Sequence, residues 1–271
     1  MNSRGTLLFV HAHPDDEALF TAGTSLHYAH AGYRVVLVTC TNGRLGIDDQ
    51  WLGGDDPSHH SDWVRRVRAS ELVASTQLIG IDRTVNLGYD DSGLPGWPQN
   101  DHRNSFVNAN VEAAARVLAS IMDEEDARVI VTYDENGYYG HPDHIRANVV
   151  TRRAMELSTS AERLFYPVTP RSVLDEFIPA ATARKVFLPL WVHDAGDGYA
   201  DEHVDVTIDA RRDAAVKQAS IRAHASQVDN ADLTSMDADL FEMLFGKEFY
   251  VLAYEKNGMR VRGDDLFAGL A

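Results

Sequence analysis

Two short apolar runs in this chain end in the same kind of turn. Residues 7–10, Leu-Leu-Phe-Val, read as a buried strand and lead into His11-Ala12-His13-Pro14-Asp15-Asp16-Glu17, after which residues 18–28 read as a helix. Residues 128–133, Arg-Val-Ile-Val-Thr-Tyr, are rich in β-branched side chains and read as a second buried strand. A glycine-containing loop then reaches His141-Pro142-Asp143-His144 and a helix that continues to residue 157. Strands that alternate with helices build a parallel sheet, and in an open sheet ligands bind in the crevice at the carboxyl ends of the strands. Both polar turns fall at such ends.

The rest of the chain keeps the alternation. Residues 33–40 read as a strand and 63–79 as a helix, with Val64, Val67, Leu72, Val73 and Leu78 at helical spacing. Residues 84–87 read as a strand and 107–124 as a helix, while 163–167, 185–192, 204–208 and 249–254 read as strands around helices at 172–181 and 210–224. The fold class expected is therefore α/β: a Rossmann-like, mostly parallel sheet flanked by helices. Residues 1–160 form the catalytic core, and 161–271 add completing strands and a cap over the carboxyl edge, integrated as one domain. The first turn lacks Gly-x-Gly-x-x-Gly, so a dinucleotide is not supported. The polar loops 41–62 and 88–104 are long enough to suggest function, although His59-His60 in the first reads as exposed rather than ligating. Phe165, Tyr166, Phe187 and Trp191 suit either a core or an aromatic wall for a sugar.

Imidazole and carboxylate together suit a borderline metal such as zinc. His13 and Asp16 lie three residues apart, so one turn of backbone can aim both at one ion, and Pro14 stiffens that turn. Asp15 is left as a carboxylate beside the metal, suited to act as general base toward water. A helix start that gathers acidic residues at its positive end would explain the carboxylates but not the histidines. A third ligand from the second turn would complete a two-His, one-carboxylate site with an open position, as hydrolytic zinc sites have.

These paired turns resemble the PIG-L (LmbE-like) family of zinc-dependent N-acetylglucosaminyl deacetylases. The similarity extends through residues 39–43, 68–72, 89–94 and 224–227, the last a His-x-Ser-Gln at a helix end. The resemblance implies that His13, Asp16 and His144 bind one zinc ion and that Asp15 is the base. It implies that His141 assists the oxyanion or the leaving amine, with Tyr139 near the reacting carbonyl. It also implies that Arg68 and Asp91 hold polar groups of the substrate. Arg44 stands where many members carry an acidic residue. The implied substrate is an N-acetylglucosamine unit on a small glycoconjugate: N-acetylglucosaminyl-inositol of mycothiol synthesis, or a glycopeptide-antibiotic pseudoaglycone. Asp143 beside His141, or another acid of the site, is expected to keep that ring protonated.

Charge narrows the partners. With 41 acidic against 25 basic residues the formal charge is −16, which disfavours nucleic acid and anionic membrane surfaces. Cys40 is the only cysteine and ends an apolar strand, so it reads as a buried small side chain. No stretch looks like a signal peptide or membrane span, so a cytoplasmic protein is expected. The partner expected is the glycoconjugate itself, with a homo-oligomer left open. The rival readings are a non-catalytic, metal-containing sugar-binding protein and a metal-dependent amidase acting on thiol conjugates. A metal-dependent phosphatase fits less well, because no glycine loop grips a phosphate.

Overall fold

The computed structural model describes residues 4–186, 188, 198–227 and 230–270. Seven strands form one sheet in the order β3-β2-β1-β4-β5-β7-β6. They are β1 Thr6–His11, β2 Arg34–Thr41, β3 Arg83–Tyr89, β4 Ala127–Val131, β5 Arg163–Val168, β6 Val206–Asp209 and β7 Lys247–Glu255. The first five strands of that order pair in parallel, and β7 is antiparallel to both its neighbours.

The central strands are buried on both faces, which is why they read as unbroken apolar runs rather than alternating ones. Leu8, Val10, Val36, Val38 and Ile130 pack into one face and Leu7, Phe9, Val35, Leu37, Val129 and Val131 into the other. The chain moves outward from β1 to β2 and β3, then returns to place β4 on the other side of β1. That reversal opens a crevice between β1 and β4 at their carboxyl ends. Their register, Leu7 with Val129, Leu8 with Ile130 and Phe9 with Val131, brings the two polar turns to one level.

Helices α1 Asp16–Phe20, α2 Ala22–His30, α3 Ser61–Leu78, α4 Val111–Glu124, α5 Pro142–Leu157, α6 Arg171–Ala183, α7 Ala214–Ala223 and α8 Ala238–Phe245 flank the sheet. Short helical turns at Gly137–Gly140 and Ala231–Ser235 add to these. Two sequence expectations need correction, and a third cannot be followed along its length. The helix expected over 18–28 is two helices, because Thr21 leaves helical geometry at φ −139°. The helix expected from residue 107 begins at Val111, where the Asn110 side chain caps it by accepting the Ala113 N–H. The strand expected over 185–192 falls largely outside the described residues, and no strand includes Lys185, Val186 or Leu188. Helix α8, whose Leu240, Phe241, Leu244 and Phe245 are buried, was not anticipated. Strands β5, β6 and β7 all come from beyond residue 160, so the late part of the chain completes the same sheet. Helix α7 packs on α3 and α1, beside the first polar turn. No helix among the described residues is long and apolar enough to cross a membrane.

Candidate active site

The turn after β1 carries its strain at one residue. Asp15 has φ 122° and ψ −27°, a backbone conformation that side-chain-bearing residues rarely adopt. Its carboxylate receives the Arg68 guanidinium, with Nη2 2.9 Å from Oδ1. Arg68 also donates to the carbonyls of Pro14 and Gly43. Gly43 sits at φ +61°, and a Cβ there would lie 2.8 Å from the Arg68 Cζ, so only glycine lets the guanidinium this close to the backbone. The Asp15 N–H donates to Glu17 Oε2 at 2.9 Å.

Glu17 is itself buried and anchored from afar. Its Oε1 lies 2.6 Å from the Ser75 hydroxyl and 2.7 Å from His224 Nε2. Burial resists charge on both groups, yet the pairing holds Glu17 below the usual carboxylate range and His224 above the usual histidine range. His224 caps the end of α7, and its contact with Glu17 joins that helix end to the first polar turn. Replacing His224 with Ala strands a buried carboxylate and should lower the unfolding free energy by about 3–5 kcal/mol in urea melts. A loss under about 1 kcal/mol would show that the pair is not stabilising.

Asp16 and the histidines meet below the cleft. His13 Nδ1 lies 3.5 Å from Asp16 Oδ2, and His144 Nε2 lies 3.4 Å from Asp16 Oδ1. His13 Nε2 also faces Asp143 at 3.2 Å and Asp91 at 3.6 Å. Burial opposes charge on His13, but Asp91, Asp143 and Asp16 hold its pKa well above the ordinary value. Burial likewise resists ionisation of Asp16, and His144 and His13 overcome it. Ligand atoms of His13, His141 and His144 can lie within 4.8 Å of one another, as can those of His13, Asp91 and Asp143. Asp16 therefore competes with His141 for the third position. A further group, Asp48, Asp49 and His60, lies mostly exposed in the 41–62 loop.

The donor set fits a divalent cation on a separate observation. Both ring nitrogens of His144 are buried and make no hydrogen bond. A buried ring nitrogen that carries no proton is costly to leave bare, and a cation between His144 Nε2 and Asp16 Oδ1, which stand 3.4 Å apart, would take up its lone pair. Its ring stacks on Tyr133, with centroids 3.9 Å apart and planes at 17°.

His141 caps α5, its Nδ1 accepting the Asp143 N–H at 3.1 Å. That bond leaves the proton of the neutral ring on Nε2. Burial and the neighbouring His13 and His144 hold His141 well below the ordinary histidine range. The expectation that Asp143 or another acid of the site keeps this ring charged is not met: the Asp143 carboxylate is engaged by Ser92 and His13, and burial with the two neighbouring histidines outweighs the pull of Asp91 and Asp16. Tyr139 is kept neutral by burial and by the nearby carboxylates of Asp16, Asp15 and Asp91, so its hydroxyl is a donor.

A cavity of about 240 Å³ opens above these groups. Its floor includes His13, Asp15, Asp16, Tyr139 and His141, and its walls include Leu45, Ile47, Leu94, Trp97, Gln227 and Asn230. Of the residues expected from sequence, His13, Asp15, Asp16, Tyr139 and His141 converge here, and His144 lies fully buried beneath. Arg68 and Asp91 border the cavity, but both are turned to protein partners. Arg68 holds Asp15, while Asp91 accepts the Gly93 N–H at 2.9 Å and faces His13. Phe165 and Tyr166 belong to the core, and Phe187 and Trp191 lie outside the described residues. Trp97, from the 88–104 loop, lines the cavity together with Phe20 and Tyr139.

Residues 8–155 match the family described as PIG-L, GlcNAc-PI de-N-acetylase. Over 286 residues, covering 97% of this chain and 96% of the relative, the chain is 38% identical to the 1D-myo-inositol 2-acetamido-2-deoxy-alpha-D-glucopyranoside deacetylase of Thermomonospora curvata. The structure resembles N,N'-diacetylchitobiose deacetylase from Pyrococcus horikoshii, with a TM-score of 0.60 and 17% identity over 92% of this chain and 84% of that one. It also resembles the zinc-inhibited form of teicoplanin deacetylase Orf2, with a TM-score of 0.57 and 17% identity over 93% of this chain and all (100%) of that one. At those identities the solved structures speak to the fold.

Proposed function

The chain belongs to the PIG-L family and is a deacetylase, and we propose that it hydrolyses the N-acetyl group of N-acetylglucosaminyl-inositol with one zinc ion held by His13, Asp16 and His144. The observation that carries this reading is the cavity floor, where the Asp15 carboxylate, held on a strained backbone, stands beside a buried cluster of metal donors. A zinc ion bound there would polarise the amide carbonyl and make water acidic enough to lose a proton near neutral pH.

Asp15 accepts the proton of the attacking water, whose oxygen bonds to the acetyl carbon. Arg68 and Glu17 hold Asp15 in place for that transfer. The Nε2–H of His141 and the hydroxyl of Tyr139 donate to the oxygen that gains charge. Asp15 then passes its proton to the departing nitrogen as the carbon–nitrogen bond breaks, giving a free amine and acetic acid, which ionises to acetate on release. Trp97 and Leu94 offer an apolar wall against which a sugar ring can lie, and Gln227 and Asn230 offer polar contacts.

The named relative supports inositol as the aglycone, because its similarity runs the whole length of the chain. The test is a free-amine assay on N-acetylglucosaminyl-inositol, a pseudoaglycone carrying N-acetylglucosamine, and an N-acylated thiol conjugate, with zinc content measured on the same samples. The inositol conjugate should give the highest kcat/KM, with one zinc per chain. Faster turnover of either other substrate would reassign the aglycone. Zinc without turnover on any of them would favour a sugar-binding role.

A further inference from the structure

His11 opens the first polar turn, yet nothing in the proposed chemistry uses it. It is fully buried, and each ring nitrogen faces a hydroxyl: Nδ1 lies 3.1 Å from Tyr133 Oη and Nε2 lies 2.8 Å from Thr21 Oγ1. Tyr133 Oη is in turn 2.7 Å from Asp16 Oδ2 and 2.9 Å from the Ala12 nitrogen. The register of β1 on β4 explains the meeting. Phe9 pairs with Val131, so His11 and Tyr133 come level two residues further along.

The protons in this chain have one consistent direction. Ionised Asp16 can only accept, so the Tyr133 hydroxyl must donate to it. The reverse arrangement would press two acceptor oxygens together at 2.7 Å. With its proton committed, Tyr133 Oη accepts from the Ala12 N–H and from His11 Nδ1–H. The neutral His11 ring then has a bare Nε2, which accepts the Thr21 hydroxyl proton. Thr21 is the residue that breaks the helix after Asp16, and its position outside helical geometry is what lets its hydroxyl serve the ring.

We infer that Thr21, His11 and Tyr133 are positioning residues. They form an ordered hydrogen-bond chain that, together with the His13 backbone N–H 2.7 Å away, ties back Asp16 Oδ2 and leaves Oδ1 facing His144, where it would be free to ligate a metal. The inference rests on the reading of Asp16 as a metal ligand. Tyr133 serves the site twice, because its hydroxyl fixes Asp16 while its ring stacks on His144. Partners that orient a ligating group in this way commonly change metal affinity ten- to a hundredfold when removed.

The test measures zinc affinity of the full chain by competition with a chromophoric chelator, with thermal melts and near-UV spectra to confirm folding. Tyr133→Phe keeps the stacked ring and removes the hydroxyl, and it should weaken zinc binding by about tenfold or more. His11→Ala should weaken it less, and His11→Asn, whose amide N–H takes the place of Nδ1–H, should restore most of the loss. The double variant Tyr133→Phe/His11→Ala should bind zinc about as weakly as Tyr133→Phe alone, because His11 acts through that hydroxyl. Additive losses, as general loosening of the fold would give, overturn the proposal. So does wild-type affinity in folded Tyr133→Phe. If Tyr133→Phe fails to fold, the comparison of His11→Ala with His11→Asn decides: equal affinities overturn the proposal and recovery in His11→Asn supports it. Asp16→Asn serves as control. Unchanged zinc binding there would show that the ligand reading has failed, and the proposal falls with it for that separate reason.

Discussion

Asp15→Asn should lower kcat by about 10²–10⁴-fold while leaving zinc content unchanged, as expected when a general base is removed. Asparagine keeps the shape of the side chain and can still accept from Arg68, so the loss isolates basicity. The backbone at φ 122° remains tied to Glu17 through its N–H in either protein. The pH profile carries the sign. Burial is the largest influence and raises the Asp15 pKa, Arg68 draws it back, and the balance lies at about 6. A base works only when ionised, so kcat/KM should rise with pH through an acid limb at or below that value, since a cation held at His13 favours ionisation further. Arg68→Met removes the charge that draws Asp15 down, so the acid limb should move to higher pH. A limb that moves the other way would contradict the coupling between the two residues. Zinc loss in Asp15→Asn equal to that in Asp16→Asn would show base and ligand to be exchanged, and near-wild-type turnover would remove Asp15 from the chemistry.

The floor of the cavity was legible in the sequence because its residues sit in two short motifs behind two apolar strands. Residue type and spacing are enough to say that His13, Asp15, Asp16 and the later histidines share an environment, once both strands are expected to lie close together. Which individual side chains pair across long separations was not legible. The Glu17–His224 pair spans 207 positions and the His13–Asp143 contact 130. Each depends on how α7 or α5 docks, which no local pattern records. For the same reason the sequence could not show that the Arg68 guanidinium, expected at the substrate, also holds Asp15 and two carbonyls. Helix periodicity ran straight through Thr21, because propensity does not register a hydroxyl demanded by a buried histidine. Trp97 lies in an irregular loop where composition suggested function but could not say which side chain faces the cavity.

His141→Ala should lower kcat by about a hundredfold or more, with zinc content and KM little changed, as is typical when one donor to a developing oxyanion is lost. The geometry makes His141 a neutral donor. Its Nδ1 is occupied by the Asp143 N–H, so the proton sits on Nε2, and burial together with His13 and His144 disfavours a second proton. A cation bound at the same cluster pushes in the same direction. His141 therefore does not set the alkaline side of the pH profile, and any alkaline limb of the native enzyme should survive in His141→Ala at reduced height. Loss of that limb would restore a protonated His141 as general acid. His141→Gln, which keeps an N–H donor, should recover part of the rate. Metal analysis separates this role from the competing one, because His13, His141 and His144 are close enough to ligate together. Zinc that disappears from His141→Ala in step with activity, but persists in Asp16→Asn, would make His141 the third ligand and free Asp16 of that role.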